Sequence, residues 1–305
     1  MKMAYSKIPV PFPMPPVFSQ DKRHRYMLSA LQHKFPQIRR YAPIGNEVLS
    51  IVGYGPSLID TWQDIRRPIL TMSGAHNFLI ERGIVPDFHA DMDPRPHKLQ
   101  FITPPHKDVN YLMATVCNPW TWEVLKEFKV TLWHAVSGDD TKRFITKWDP
   151  GTMMISGGSC MGLVSFHLAG VLGYNRFEVF GMDGSWKDGK RHAGFHGGFP
   201  HGEIEWDCFG RKFLSSRIMM NSNIELQYFL TNFPVFCVFH GDGFNQHWIA
   251  NNDIPTVAVA GTDKAKFVRR SRYINLTSEQ FEEFKKSMGT EPPMLTDDLS
   301  RLKIA

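Results

Sequence analysis

The sequence lacks any uncharged apolar run of about 18 residues, which predicts no membrane-spanning helix. It lacks the basic and apolar leader of a secretory signal. Its first residues carry Pro9, Pro11, Pro13, Pro15 and Pro16 instead, a pattern that reads as extended chain. It has few cysteines and no C-x-x-C pair. Cys117, Cys160, Cys208 and Cys237 are far apart, which excludes a zinc or disulfide framework and reads as free thiols in a reducing, cytoplasmic compartment. It has no H-E-x-x-H, no P-loop lysine and no internal repeat. Charge of one sign is also scarce, with a net charge of +5. Lys22-Arg23-His24-Arg25 is the densest basic run and reads as a solvated helix start, so no specific nucleic-acid partner is expected. Mild basicity suits a small anionic ligand.

What is present is an ordinary globular composition, 42% hydrophobic and 21% charged over 305 residues. Short apolar runs recur at 48–52, 68–72, 87–90, 111–116, 130–133, 153–155, 177–180 and 235–239. Helical patterns separate many of them, at 76–82, 120–128, 161–172 and 216–231. Strands apolar on both faces, alternating with helices, predict an α/β, Rossmann-like fold: a mostly parallel sheet with helices on both faces. The spacing divides the chain into a Pro-rich extension and helix (1–46), the α/β domain (47–255) and a tail with a helix (256–305), which Ser278 and Phe281 would start. Residues 186–210, rich in Gly, His and aromatics, break the alternation and are too long for a plain connector.

In such a sheet the chemistry sits where strands end and helices begin. The turn Gly53-Tyr54-Gly55-Pro56-Ser57-Leu58 combines two glycines, a proline suited to a first helical turn and a hydroxyl. It reads as an anion seat at a helix N-terminus, or as a tight turn with no ligand. Ser156-Gly157-Gly158-Ser159 offers the same choice, between a seat and close helix–sheet packing. Asp91-Met92-Asp93-Pro94 puts two carboxylates at a strand end. They hold a Mg²⁺ that bridges phosphates, or one caps a turn while the other meets Arg95 or Lys98. Asp183 follows the 177–180 run, and His192, His196 and His201 come after it. His192 is a candidate general base, with Asp183 as a second catalytic candidate. Trp186, Phe195 and Phe199 could stack on a sugar or merely pack the loop. His89 and His167 read as structural.

These segments, in this order, resemble the family named for the archaeal 6-hydroxymethylpterin diphosphokinase, which also contains the flagellar motility-associated-factor glycosyltransferases. The residues that carry the resemblance are Gly53 to Leu58, Gly83 to Asp87 with Asp91 to Pro94, Ser156 to Ser159, Leu172 to Tyr174, Phe180 to Asp183 and His192-Ala193. The Gly-x-Gly-Pro-Ser-Leu turn and Ser-Gly-Gly start are also similar to those of bacterial sialyltransferases that use CMP-sugars. The sequence departs from the sialyltransferases at Met72-Ser73-Gly74-Ala75, where they have a nucleotide-contacting asparagine, and at Trp148 to Thr152, which lacks their tyrosines. The resemblance implies a nucleotide-dependent transferase. Three readings stand: a glycosyltransferase with a nucleotide-sugar donor and a hydroxyl acceptor, a Mg²⁺-dependent diphosphokinase passing pyrophosphate from ATP to a pterin-like alcohol, and a non-enzymatic nucleotide- or sugar-binding module. In the first, Gly53, Gly55, Pro56 and Ser57 hold the donor phosphates, while Ser156, Gly157, Gly158 and Ser159 hold the sugar or base.

Overall fold

The computed structural model describes residues 18–136, 138–151, 153–155, 158–194, 203–233 and 235–271. Helix α1 (Gln20–Gln32) starts at Ser19, whose hydroxyl accepts from the Lys22 N–H as an N-cap should. The sheet then builds from β1 (Leu49–Val52) and β2 (Ile69–Met72), separated by the one-turn helix α2 (Leu58–Thr61). Helix α3 (Ala75–Ile80) leads to β3 (Phe88–Asp91), and a 3₁₀ segment (Pro96–Ile102) leads to β4 (Asn110–Ala114). Helix α4 (Trp120–Leu125), β5 (Lys129–Ala135), α5 (Asp139–Trp148) and β6 (Met154–Ile155) complete one wing.

Helix α6 (Met161–Val171) carries the chain back across the sheet to β7 (Arg176–Phe180). A hairpin of β8 (Glu203–Cys208) and β9 (Arg211–Ser216) follows, then α7 (Arg217–Asn232), β10 (Phe236–Phe239), α8 (Phe244–Ala250), β11 (Val257–Val259) and α9 (Asp263–Arg270). The main sheet has nine strands in the order β11-β10-β7-β1-β2-β3-β4-β5-β6, and every pairing in it is parallel. The chain moves outward from β1 in one direction and then resumes on its other side at β7. The seam between β1 and β7 is therefore the topological switch point, where α/β sheets place their ligands.

Alternation along each strand divides the core. Ile51, Leu70, Ala90, Leu112 and Val179 face α6 and α7, and all are buried. Val52, Ile69 and Phe180 face the opposite way, against Leu58, Phe78 and Leu79. Each fully buried Ile, Leu, Val or Phe among them contributes roughly 1.5–3 kcal/mol relative to exposure. The described part of the N-terminal extension joins this core: Met27 and Ala30 of α1 are buried in it, and Pro36 and Ile38 hydrogen-bond to Leu132 on β5. On the tail side, β11 is an edge strand and α9 packs Ala265 and Val268 on it. Neither element is marked by a strong periodic run, and the helix expected from Ser278 lies outside the described residues. The four cysteines are unpaired. No described helix is long and apolar enough to cross a membrane.

Candidate functional site at the switch point

The two glycines of the first turn are explained by the loop beside them. A Cβ on Gly53 would come within 2.5 Å of the Gly181 carbonyl, and one on Gly55 would overlap that carbonyl and the Asp183 carboxylate. Three of the turn's backbone donors are taken up in the same contact. Gly53 N–H donates to Phe180 O at 2.8 Å, Gly55 N–H to Gly181 O at 2.7 Å, and Ser57 N–H to Asp183 Oδ2 at 2.9 Å. Pro56 has no N–H to offer. The protein's own carboxylate therefore occupies the place where an anion was expected.

Asp183 is the electrostatic centre of the seam. It is 2% exposed, and burial pushes its carboxyl up to about 6; the Ser57 hydrogen bonds oppose the rise and Asp242 adds to it. Its loop is pinned from three sides. Asn245 N–H donates to Asp183 O, Asn245 Nδ2 to Met182 O, and Phe244 N–H to Ser185 Oγ, all from the start of α8. Ser215 Oγ and Asn223 Nδ2 both donate to Gly184 O. Gly243 is needed where α8 passes, because a Cβ there would strike Asp183. A cavity of about 240 Å³ opens at this point, lined among others by Pro56, Asp183, Trp186, Lys187, Arg211 and Asp242.

His192 sits elsewhere on the turn and does not line this cavity. Its ring stacks on Tyr54 with centroids 5.8 Å apart, and the next residue ties down by Ala193 N–H to Tyr54 O. Burial, followed by the Lys98 ammonium, lowers its pKa to about 4, so the ring is neutral at pH 7 and only a weak base. His196 and His201, with Phe195 and Phe199, lie outside the described residues.

The acidic turn after β3 realises the cap-and-pair alternative. Asp91 Oδ1 accepts the Met92 and Asp93 N–H groups at 2.7 and 2.8 Å. Asp93 forms a two-pronged pair with Arg95 and lies 3.6 Å from Lys98 Nζ. Burial raises the Asp91 carboxyl to about 6 against the pull of Lys98. Burial would raise Asp93 as well, but the Arg95 hydrogen bonds and the charges of Lys98 and Arg95 hold it below its ordinary value. Among the described residues no group of three or more His, Cys, Asp or Glu could hold a metal.

At the second glycine-rich turn, Ser156 and Gly157 lie outside the described residues. Gly158 has φ +137° and leaves no room for a Cβ beside Leu163. Ser159 N–H and Oγ both donate to Glu225 Oε2, at 2.8 and 2.9 Å. Met182 links the first turn to the start of α6, since added Cβ atoms on Gly53 and Gly162 would each meet it at 3.0–3.1 Å. The structure thus brings Gly53, Gly55, Pro56, Ser57 and Asp183 together, with Gly162 of α6 nearby. It sets Asp91, Asp93 and His192 in a neighbouring cluster around Lys98.

Sequence reasoning missed the far wall of the cavity. Asp242 and Gly243 follow β10 and bear a Gly-Asp-Gly signal that could have marked them. The span 186–210 also hides two tight turns. Lys187 and Lys190 pair across Asp188-Gly189, whose φ values of +50° and +71° fit the Asp-Gly preference of a type I′ turn. Phe209-Gly210 turns β8 into β9 with φ values of +49° and +82°.

Comparison with known proteins places these features. The family model described as 6-hydroxymethylpterin diphosphokinase MptE-like matches residues 22–189. The match includes the Gly53 turn, Asp91, Asp93 and Asp183 and stops before the β8–β9 hairpin. No curated protein matches the chain. Among solved structures, a MAf glycosyltransferase from Magnetospirillum magneticum AMB-1 is similar in fold, with a TM-score of 0.58 at 15% identity. The similarity covers 90% of this chain and 42% of that one, so the chain spans less than half of that protein's length.

Proposed function

The chain belongs to the MptE-like family, and from that premise we propose that it is a nucleotide-dependent transferase, moving a glycosyl group from a nucleotide-sugar donor to a hydroxyl acceptor. The observation that carries this reading is Asp183: a carboxylate with its pKa raised to about 6, on the wall of a cavity at the switch point. Such a group is ionised at pH 7 yet basic enough to take a proton in the transition state. In this reading the acceptor oxygen attacks the anomeric carbon while Asp183 takes its proton. The bond from that carbon to the phosphate oxygen breaks, and its electron pair leaves with the nucleotide. Lys187 and Arg211 on the cavity wall offset the charge that develops on the phosphate. Asp183 suits the base role better than His192, whose conjugate acid is about a hundredfold stronger on the two values. His192 is instead a neutral hydrogen-bonding group beside Tyr54.

The family's description favours a second reading, pyrophosphoryl transfer from ATP with Mg²⁺. Asp91 and Asp93 do not fit a ready cation site, because a metal would have to displace Arg95 from Asp93 and turn Asp91 away from two N–H groups. Melting the protein with CMP, UDP, GDP and ATP, each with and without Mg²⁺, separates the readings, because a ligand that binds the native state raises the melting temperature. Stabilisation by a pyrimidine or guanine nucleotide without metal, with sugar-donor turnover lost in Asp183→Asn, supports glycosyl transfer. A response confined to ATP with Mg²⁺ rejects it in favour of the diphosphokinase. Binding with no consumption of any donor leaves a binding module.

A further inference from the structure

The cavity has two walls of different origin. Pro56, Asp183 and Lys187 lie within the family-matched span, whereas Arg211 stands on the hairpin beyond it. The cations on these walls are not equivalent. Lys187 pairs with Asp60 at 2.9 Å and Asp242 at 3.2 Å, and Lys212 pairs with Glu205 at 2.6 Å. Among the described residues Arg211 has no carboxylate partner; its guanidinium lies 4.6 Å over the Phe213 ring. Stacking uses the face of a guanidinium and leaves its N–H edge available for a planar or tetrahedral oxyanion.

The position of Arg211 is built in. It pairs with Cys208 across the Phe209-Gly210 turn, Cys208 is fully buried, and the Cys208 carbonyl faces His247 Nε2 at 3.1 Å. The other strand edge is held by Trp186 N–H donating to Leu214 O at 2.8 Å. Arg211 is itself exposed on this wall, so its N–H edge is open to a ligand. An exposed guanidinium with no acceptor among the described residues is the complement of a ligand that carries acceptor oxygens.

We propose that Arg211 is the specificity-determining residue of this cavity and recognises an oxyanion, phosphate or carboxylate, on the ligand. The proposal deepens the transferase reading and rests on it for the identity of the site. The oxyanion comes either from the donor's phosphates or from an acidic acceptor sugar. At about 240 Å³ the cavity suits one sugar-sized unit or a diphosphate group, not a whole nucleotide-sugar.

The test is calorimetric binding of pyrophosphate, glucuronate and glucose to the full chain, as wild type, Arg211→Ala, Arg211→Lys and Asp183→Asn. One anionic probe should bind the wild type and lose at least tenfold in affinity in Arg211→Ala. Arg211→Lys should recover only part of the loss, because an ammonium cannot present paired donors. Dependence for pyrophosphate assigns the donor phosphate, and dependence for glucuronate assigns an acidic acceptor. Equal affinity in wild type and Arg211→Ala, preference for glucose, or no binding of either anion to the wild type overturns the proposal. Arg211-dependent binding by a protein with no Asp183-dependent turnover would sink the transferase reading and leave this one standing.

Discussion

Strand β3 ends in a buried aspartate, Asp91, and the loop after β7 carries another, Asp183; both carboxyls are pushed up to about 6, yet their surroundings differ. Asp91 closes on its own chain, capping the next two N–H groups, with Asp93, Arg95 and Lys98 around it. Asp183 reaches across 126 residues of sequence to the Ser57 N–H and lines a cavity. The same burial produces the same raised pKa, but one carboxylate is bonded within its local turn and the other, though no more exposed, belongs to the lining of a cavity. A perturbed pKa marks a candidate site only together with access.

The largest expected effect separates the two directly. Asp183→Asn should lower turnover by about 10²–10⁴-fold, the usual worth of a general base. Asp91→Asn, which can still accept both N–H groups, should stay within roughly threefold, with turnover followed by donor consumption. Equal losses in the two variants would erase the distinction. In wild type and Asp91→Asn alike, kcat/KM should rise with pH through about 6.

Stability should respond to pH at both sites with the same sign. Each folded pKa is raised above the unfolded value of 3.8, so the contribution is fully present below that value and is lost as pH rises through about 6. Each shift corresponds to about 3 kcal/mol at most. The melting temperatures of Asp183→Asn and Asp91→Asn should therefore gain on wild type between about pH 4 and 6 and hold that gain above it. A gain that does not grow with pH would show that these carboxyls are not raised. His89 works in the opposite sense: burial lowers its pKa well below the usual 6.5, so its contribution is present above that value and is lost as pH falls.

Two smaller effects sharpen the contrast. Gly55→Ala forces a Cβ onto the Asp183 carboxylate and should cost about 1–3 kcal/mol in denaturant unfolding, the usual penalty of overpacking. A neutral outcome would mean that the loops can separate. Lys98→Met removes the cation facing Asp91, Asp93 and His192 and should cost about 1 kcal/mol, because Arg95 still pairs with Asp93. It should also raise the His192 pKa from about 4, as seen by NMR titration; an unmoved value would show that burial alone depresses it.

Much of the sheet was legible in the sequence. The eight apolar runs from 48–52 to 235–239 each fall on a parallel strand, because buried strands must be apolar on both faces. The glycine and acidic turns were visible because Gly, Pro and Asp carry local conformational signals. Less legible were β11, a three-residue edge strand with little to bury, and α8 and α9, whose short patterns resemble loop. The residue pair 53 and 55 was readable as a place where backbone comes close to something. Only the contact with Gly181 and Asp183 shows that the something is the neighbouring strand end.

By itself, then, the sequence determined the layered α/β architecture, since periodicity and turn chemistry are local properties of the chain. It also determined that the strand ends after β1, β3 and β7 would carry polar chemistry. Tertiary structure alone decided which carboxylate lines a cavity, which cation on its wall has no carboxylate partner among the described residues and which amide donors are already engaged. Those outcomes depend on pairs such as Ser57 with Asp183 and Ser159 with Glu225, which lie 126 and 66 residues apart and share no local pattern. Burial and Coulombic contact arise from such distant pairs, and the raised pKa of Asp183 arises with them.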